Sequence, residues 1–192
     1  MSSVVLSGDT SGTVTLTVPA VAGSNTVTVP AGTGTMAVQG VSTNIVSGTA
    51  VASTSGTSIT FSSIPSWVKR ITVMFNGVST NGTSLVQIQV GSGSVQTTGY
   101  ISSAQQSSAI VSSTTGLVIS TFSAAADIRI GAVVLTNISG NIWIMQGNTG
   151  QSTSTCACSG NVTLSSTLDR VVITTVNGTD TFDAGSINIL YE

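Results

Sequence analysis

The chain has no histidine, and only 5% of its residues are charged, against about a quarter in ordinary globular proteins. Without histidine the sequence offers neither a Ser-His-Asp nor a Cys-His arrangement, and no histidine cluster for a metal. These absences exclude the commonest hydrolase mechanisms. We expect a protein without enzymatic activity, cofactor or metal.

Basic residues and long apolar runs are also scarce. Four basic residues, with a formal net charge of −2, are too few to neutralise a nucleic-acid backbone, so no nucleic-acid partner is expected. A membrane-spanning helix needs about 20 consecutive apolar residues, whereas Ser, Thr, Gly or Asn interrupts each apolar run here within a few positions. No membrane insertion is expected. The N-terminus lacks the basic region and apolar stretch of a secretory signal, which favours synthesis in a cytoplasm.

The two cysteines, Cys156 and Cys158, flank Ala157 in a stretch rich in Ser, Thr and Gly that indicates a loop. A disulfide between residues two positions apart would be strained. Two thiols also fall short of a four-ligand zinc site. We predict two free thiols.

Hydroxyl and β-branched residues are abundant. Ser and Thr account for 63 of 192 residues, and the chain is 40% hydrophobic with 21 glycines. Val, Ile and Thr suit a pleated strand better than a helix, and the Asn-Gly pairs at 76–77, 81–82 and 177–178 supply the positive φ of tight hairpin turns. The composition predicts an all-β protein with antiparallel pairing. About nine strand patterns occur: residues 59–61, 71–75, 86–90, 117–122, 131–138, 142–146, 162–164, 168–176 and 187–191.

A short repeat opens the chain. The unit Thr-Val-Pro-Ala stands at 17–20 and again at 28–31, and each copy ends a Thr/Val alternation at a proline that cannot donate to a sheet. Two such strands cannot bury a core of their own. We therefore predict an extended N-terminal arm over 1–46, a linker composition over 40–57, and a β-sandwich knob over 47–192.

Two strand patterns are apolar on both faces, namely 142–145 and 171–173. Such patterns predict strands that are covered on both faces. In a thin sandwich, a second covered face indicates a subunit interface.

Three stretches carry a resemblance to a known group of proteins. IPSWVKRITVMFNGVSTNG (64–82), the tripeptide at 98–100, and LDRVVITTVNGTDTFDAGSINILYE (168–192) resemble small virion proteins of tailed bacteriophages, which are described as virion-associated or fibre-like. Residues 7–35 resemble the repeat that opens many phage fibre and head-decoration proteins, where it plugs the projection into the particle. The resemblance implies a jelly-roll-like sandwich, similar to trimeric fibre-tip domains and to the tumour-necrosis-factor-like fold, and implies no catalytic residues.

The resemblance also implies a function. We expect a non-enzymatic structural protein at the virion surface, assembled in the bacterial host cytoplasm as a homotrimer and bound through its arm to a major capsid or tail protein. Two placements remain open. Small size and the lack of a long shaft favour a capsid decoration (cement) protein or short head fibre; the alternative is a tail fibre receptor-binding protein that recognises the host cell surface, including its glycans.

Candidate sites follow from these expectations. The arm would attach through its alternating apolar residues and its two prolines: Val14, Leu16, Val18, Pro19, Val27, Val29 and Pro30. Surface recognition would use Trp67, Tyr100, Asp180 and Asp183, with Trp143 as a third aromatic of a sugar platform. The competing interpretation places the aromatics in the core or an interface, and makes the aspartates turn-shaping residues.

Other chemistry is open for the acidic and basic residues. Asp127, Asp169, Asp180 and Asp183 are the candidates for a glycosidase carboxylate pair. Asp180 and Asp183 alone would suit a calcium site. The pair at 69–70, directly after Trp67-Val68, fits an anionic-ligand contact or a cation–π pair with Trp67. The competing interpretation is a solvated strand start or an intersubunit salt bridge.

Overall fold

The computed structural model describes residues 3–7, 10–17, 23–24, 45–125 and 127–192. Within these ranges the regular secondary structure is entirely β, so no helix there is available to cross a membrane. The strands are β1 (Ser3–Ser7), β2 (Thr13–Thr17), β3 (Val46–Ser47), β4 (Val51–Ala52), β5 (Ser58–Ser62), β6 (Arg70–Thr80), β7 (Val86–Ser92), β8 (Ser94–Val95), β9 (Ile101–Gln106), β10 (Ala109–Ser113), β11 (Leu117–Val118), β12 (Arg129–Ser139), β13 (Ile142–Gln151), β14 (Ser154–Thr163), β15 (Arg170–Thr175) and β16 (Phe182–Tyr191).

The chain divides into two compact units, Met1–Ala37 and Val38–Glu192. In the first unit, β1 and β2 form an antiparallel hairpin in which Val5 lies opposite Thr15. Gly12 adopts a positive φ of 82° just before β2. The side chains of Val5 and Leu6 are more than half exposed. The hairpin thus presents apolar residues that nothing within its described part covers.

The predicted attachment residues lie only partly within the described residues. Val14 and Leu16 belong to β2, where their backbones pair with Leu6 and Val4 of β1. The Thr/Val alternation of the first repeat copy therefore forms a strand. Outside the described residues lie Val18, Pro19, Val27, Val29 and Pro30.

The second unit is an antiparallel β-sandwich, which confirms the predicted fold class. Its nine-stranded sheet has the order β10-β9-β14-β13-β12-β6-β16-β3, with β4 also paired to β16. Its five-stranded sheet has the order β11-β7-β15-β5, with β8 paired to β7. One apolar core lies between the sheets, where Ile71, Val133, Leu135, Ile88 and Ile173 are fully buried. The finer jelly-roll topology stays a prediction. In the nine-stranded sheet, β12, β13 and β14 are neighbours in chain order and form a meander.

The N-terminal edge of the sandwich differs from the sequence prediction. Val46 and Ser47 pair with Tyr191 and Leu190 of the last strand, so residues assigned to the arm and the linker belong to the sandwich. Ser53 is buried there, and its hydroxyl donates to the carbonyl of Ala184 at 2.7 Å. Small polar residues without periodicity are typical of a linker, but the backbones of these residues complete a sheet edge.

The two strands with apolar residues on both faces have different surroundings. Val172 of β15 is buried within the chain itself. On the same face, Gln89 and Thr174 donate hydrogen bonds to the carbonyls of Thr115 and Thr57. Ile144 of β13 instead lies half-buried on the face of the nine-stranded sheet that points away from the five-stranded sheet. We call this second surface the outer face.

The cysteine stretch is a strand, so the predicted loop is wrong. Cys156 and Cys158 belong to β14, which pairs with β13 on one side and β9 on the other. Both are buried free thiols, as predicted. Burial, together with the neighbouring Cys156, raises the pKa of Cys158 to about 12. These thiols therefore act as small core residues and not as reactive groups.

Candidate functional site

Trp67 is an exposed aromatic side chain beside the first residues of β6. Its ring lies tilted against that of Tyr191, with 6.0 Å between ring centroids, and 49% of the residue is exposed. Glu192 holds this segment in place, because its carbonyl accepts the backbone N–H groups of Lys69 and Arg70 and its carboxylate pairs with Arg70 at 2.9 Å. Trp67 therefore remains a candidate for surface recognition.

Tyr100 is a core residue, which corrects its assignment as a surface recognition residue. Only 1% of it is exposed, and its hydroxyl accepts from the N–H of Val90 at 2.9 Å and lies 2.9 Å from the carbonyl of Gln96. Burial raises the pKa of Tyr100 to about 12. Trp143 is also buried. The aromatic sugar platform is therefore not formed, and the competing core interpretation is the right one for both side chains.

Asp180 braces two loops together. Its carboxylate accepts from the backbone N–H of Ser84 at 2.8 Å and from the side-chain amide of Asn177 at 2.7 Å. The hydrogen bond from Asn177 and then that from Ser84 lower the pKa of Asp180 below its ordinary value. A Cβ at Gly82 would collide with this carboxylate, so the close approach depends on glycine there. These contacts are those of a turn-shaping residue.

Asp183 has a separate partner. Its carboxylate accepts a short hydrogen bond from the hydroxyl of Ser79 on β6, close to the point where Gly185 adopts a positive φ of 90°. It therefore does not share the contacts of Asp180. Among the described residues, no group of three or more Cys, Asp or Glu side chains is placed to hold a metal ion.

The remaining carboxylates of the glycosidase hypothesis also brace local backbone. Asp127 accepts from the N–H of Ala124 at 2.9 Å. Asp169 accepts from the N–H of Gly93 at 2.9 Å and pairs with Arg170 at 2.7 Å, and Arg170 is the main cause of the lowered pKa of Asp169. Each of the four candidate aspartates thus accepts hydrogen bonds from a different part of the chain.

Arg129 was missed by sequence reasoning. It is fully buried at the start of β12, and its guanidinium donates to the carbonyl of Phe122 at 2.6 Å, the carbonyl of Asp127 at 3.2 Å and the hydroxyl of Ser120 at 3.3 Å. Burial lowers the pKa of Arg129 to about 10, against the opposing effect of the charges on Asp127 and Asp183. The side chain is therefore cationic at neutral pH and holds the segment before β12 to the core.

A shallow groove crosses the outer face. It has a volume of about 440 Å³ and is lined by Val134, Gln146, Asn148 and Ser159, with Gly147 and Cys158 beneath them. None of its lining side chains is charged. The groove therefore suits an uncharged surface better than an ionic ligand.

Replacing Asp180 with Asn tests the brace. A lowered folded pKa means that the carboxylate stabilises the fold above its ordinary pKa of 3.8, and that this contribution is lost as pH falls through the lower folded value. We expect Asp180→Asn to lower the thermal midpoint at pH 7 and to have little effect near pH 2, as measured by circular dichroism. An equal loss at both pH values would show that the carboxylate charge is not what braces the loops.

Comparison with known proteins gives no match to any family model, curated protein or solved structure.

Proposed function

We propose that this chain is a non-enzymatic structural protein displayed on a tailed-bacteriophage particle. In this proposal the sandwich is a projecting knob, and the N-terminal arm binds the major capsid protein. The chain would act as a capsid decoration protein or short head fibre, assembled as a homotrimer in the bacterial cytoplasm.

The observation that carries the proposal is a difference in burial: the sandwich buries its apolar residues, and the described hairpin does not. The sandwich encloses a complete apolar core, whereas the β1–β2 hairpin leaves Val5 and Leu6 more than half exposed. A two-stranded hairpin is marginally stable in water at best. The exposed apolar residues of such a hairpin become buried when its strands add to a sheet of another protein, the binding mode called β-augmentation.

The resemblance to phage virion proteins supports the same proposal. The two long resembling stretches of the sandwich, 64–82 and 168–192, contain β6 and β16, and these strands pair with each other in the nine-stranded sheet. These two stretches therefore contribute neighbouring strands to the fold. Each candidate aspartate is engaged with local backbone or side chains.

A second placement, on the tail, has one observation in its favour. Trp67 is half exposed near Lys69, and an exposed aromatic ring can stack on the apolar face of a sugar. In this alternative the knob recognises a glycan of the host cell surface. Substitution of Trp67 by Ala would then reduce adsorption of phage to cells without changing particle assembly.

Gold-labelled antibody against the chain, viewed on intact particles by electron microscopy, tests the placement. The proposal expects label spread over the head. Label confined to the tail would overturn the capsid placement in favour of host recognition. Purified particles without any label would contradict the virion assignment itself.

A further inference from the structure

The outer face of the nine-stranded sheet has a regular composition that neither the fold nor the proposed attachment explains. Residues directly opposite each other in neighbouring strands share a face, so the strand registers define rows across the sheet. One row crosses the centre through all eight strands of the main path: Ser112, Ser103, Ser159, Gln146, Val134, Thr72, Leu190 and Ser47.

The two neighbouring rows continue the same pattern. They contain Ile110, Gln105, Ala157, Asn148, Ala132, Met74 and Asn188 on one side, and Ile101, Asn161, Ile144, Thr136 and Arg70 on the other. Arg70 is the one charged residue in these three rows, and it stands at an end of its row in a salt bridge with Glu192. The rest of this surface is aliphatic, hydroxyl or amide.

The aliphatic residues of the outer face form a centre and an edge. Val134, Met74 and Ile144 are half-buried in the middle strands. At the edge of the sheet, Ile101 and Ile110 are 72% and 66% exposed. An apolar centre within a polar but uncharged surround is typical of the surfaces by which proteins associate, where charged residues are depleted at the centre.

The area of the outer face is close to that of a standard interface. The 20 residues of the three rows, at about 4.8 Å between strands and about 6.8 Å between rows, cover on the order of 650 Å². A specific interface of standard size needs about 800 Å² from each partner. The outer face therefore supplies most of the area that association of two copies requires, and the adjoining surface contributes the rest.

The chemistry of the face identifies the partner. A partner recognised by charge would find almost nothing complementary here, whereas a second copy of the same face brings no like-charge repulsion. Hydroxyl and primary amide groups both donate and accept hydrogen bonds, so Gln146, Asn148 and Ser159 can bond to the same groups on another copy. We propose that the outer face is the surface through which copies of this chain assemble.

This inference concerns the sandwich and does not depend on the proposed virion location. It adds to the homotrimer proposal the surface that would bring the subunits together. In a cyclic assembly, the outer faces of the subunits would pack around the rotation axis. The five-stranded sheets would then lie on the outside of the assembly.

The test uses the full-length chain and one nearly isosteric change. Gln146 is exposed in the central row, so Gln146→Glu adds a charge without changing the shape of the fold. The matched control is Thr60→Glu, at an exposed position of β5 in the other sheet. Sedimentation and light scattering give the assembled mass, and circular dichroism verifies that both variants fold.

We expect the wild type and Thr60→Glu to have the mass of an oligomer of the 19.1 kDa chain. We expect Gln146→Glu to associate at least roughly 100-fold more weakly, because each copy brings a like charge to the interface. A monomeric wild type at micromolar concentration would overturn the inference, and so would equal dissociation of both variants. An assembled mass of two chains would keep the face but overturn the homotrimer.

Methionine oxidation locates the interface independently. Met74 lies half-buried on the outer face, and Met145 lies in the core. With peroxide, we expect Met74 to oxidise several-fold faster in Gln146→Glu than in the wild type, while Met145 stays protected in both. Equal oxidation of Met74 in the two proteins would overturn the inference, because a different surface would then join the subunits.

Discussion

A chain that lacks residues 1–37 is expected to fold normally and to be absent from phage particles. The second unit, Val38–Glu192, contains the whole sandwich core, and its first strands pair with β16. The thermal midpoint of the truncated protein should therefore lie within about 3 °C of the full-length value, which corresponds to less than roughly 1 kcal/mol. Incorporation into particles, measured by immunoblot of purified phage, should fall to background.

Point substitutions separate attachment from simple truncation. Leu6 is an exposed apolar residue of β1, so Leu6→Asp should weaken incorporation by disfavouring burial against another protein. Ser11 precedes β2 at an exposed position, so Ser11→Asp adds the same charge at a position outside the paired strands. Incorporation of the truncated protein at the normal level would refute the role of the arm. Equal loss with both aspartate variants would assign the effect to charge and not to strand contact.

Replacing Arg129 with Ala is expected to cause a large loss of stability in the sandwich. The change removes three hydrogen bonds, leaves the carbonyl of Phe122 buried without a donor, and opens a cavity. Arg129 takes part in neither of the salt bridges among the described residues, and the charges on Asp127 and Asp183 act on it without a close ion pair. The main effect of removing the guanidinium is therefore an unsatisfied carbonyl. We expect a loss of about 3–5 kcal/mol in urea unfolding.

Two further variants define the cause of that loss. Arg129→Met fills most of the volume of the arginine but cannot donate hydrogen bonds. It should therefore be more stable than Arg129→Ala, with a free energy of unfolding about 1–3 kcal/mol below that of the wild type. Arg170→Ala removes a partly exposed arginine paired with Asp169, and it should have a much smaller effect because water and salt screen such a pair. If Arg129→Ala and Arg170→Ala unfold at the same urea concentration, the guanidinium of Arg129 is not a structural tie.

The sequence predicted the fold class because long strands carry a clear two-residue period. In β6, for example, Ile71, Val73 and Phe75 are buried in the core. The pattern failed where small residues fill the core. Ala104 and Cys156 are buried in β9 and β14, yet their neighbours Ser103 and Ala157 are small as well, so these strands show almost no hydrophobic contrast. Close sheet packing tolerates such residues, but periodicity alone does not reveal them.

The candidate site was predicted less completely than the fold. The exposure of Trp67 agrees with its proposed role, whereas the burial of Tyr100 depends on its hydroxyl reaching Val90 and Gln96 in a neighbouring segment. Arg129 was missed for a related reason. A charged residue at the start of a strand usually indicates a solvated position, and only the folded chain brings three oxygen acceptors around it.

The pairing of β3 and β4 with the last strand has a mechanical consequence. If the arm is the point of attachment, any pull on the knob enters the sandwich near Ile45, where each of the two edge strands contains only two residues. These short pairings would detach before the long β6–β16 pairing bears tension. Detachment of residues 45–53 would lengthen the connection between the arm and the sandwich by about 30 Å, at roughly 3.3 Å per residue. Under load, these edge pairings would unfold reversibly while the core of the sandwich remains folded.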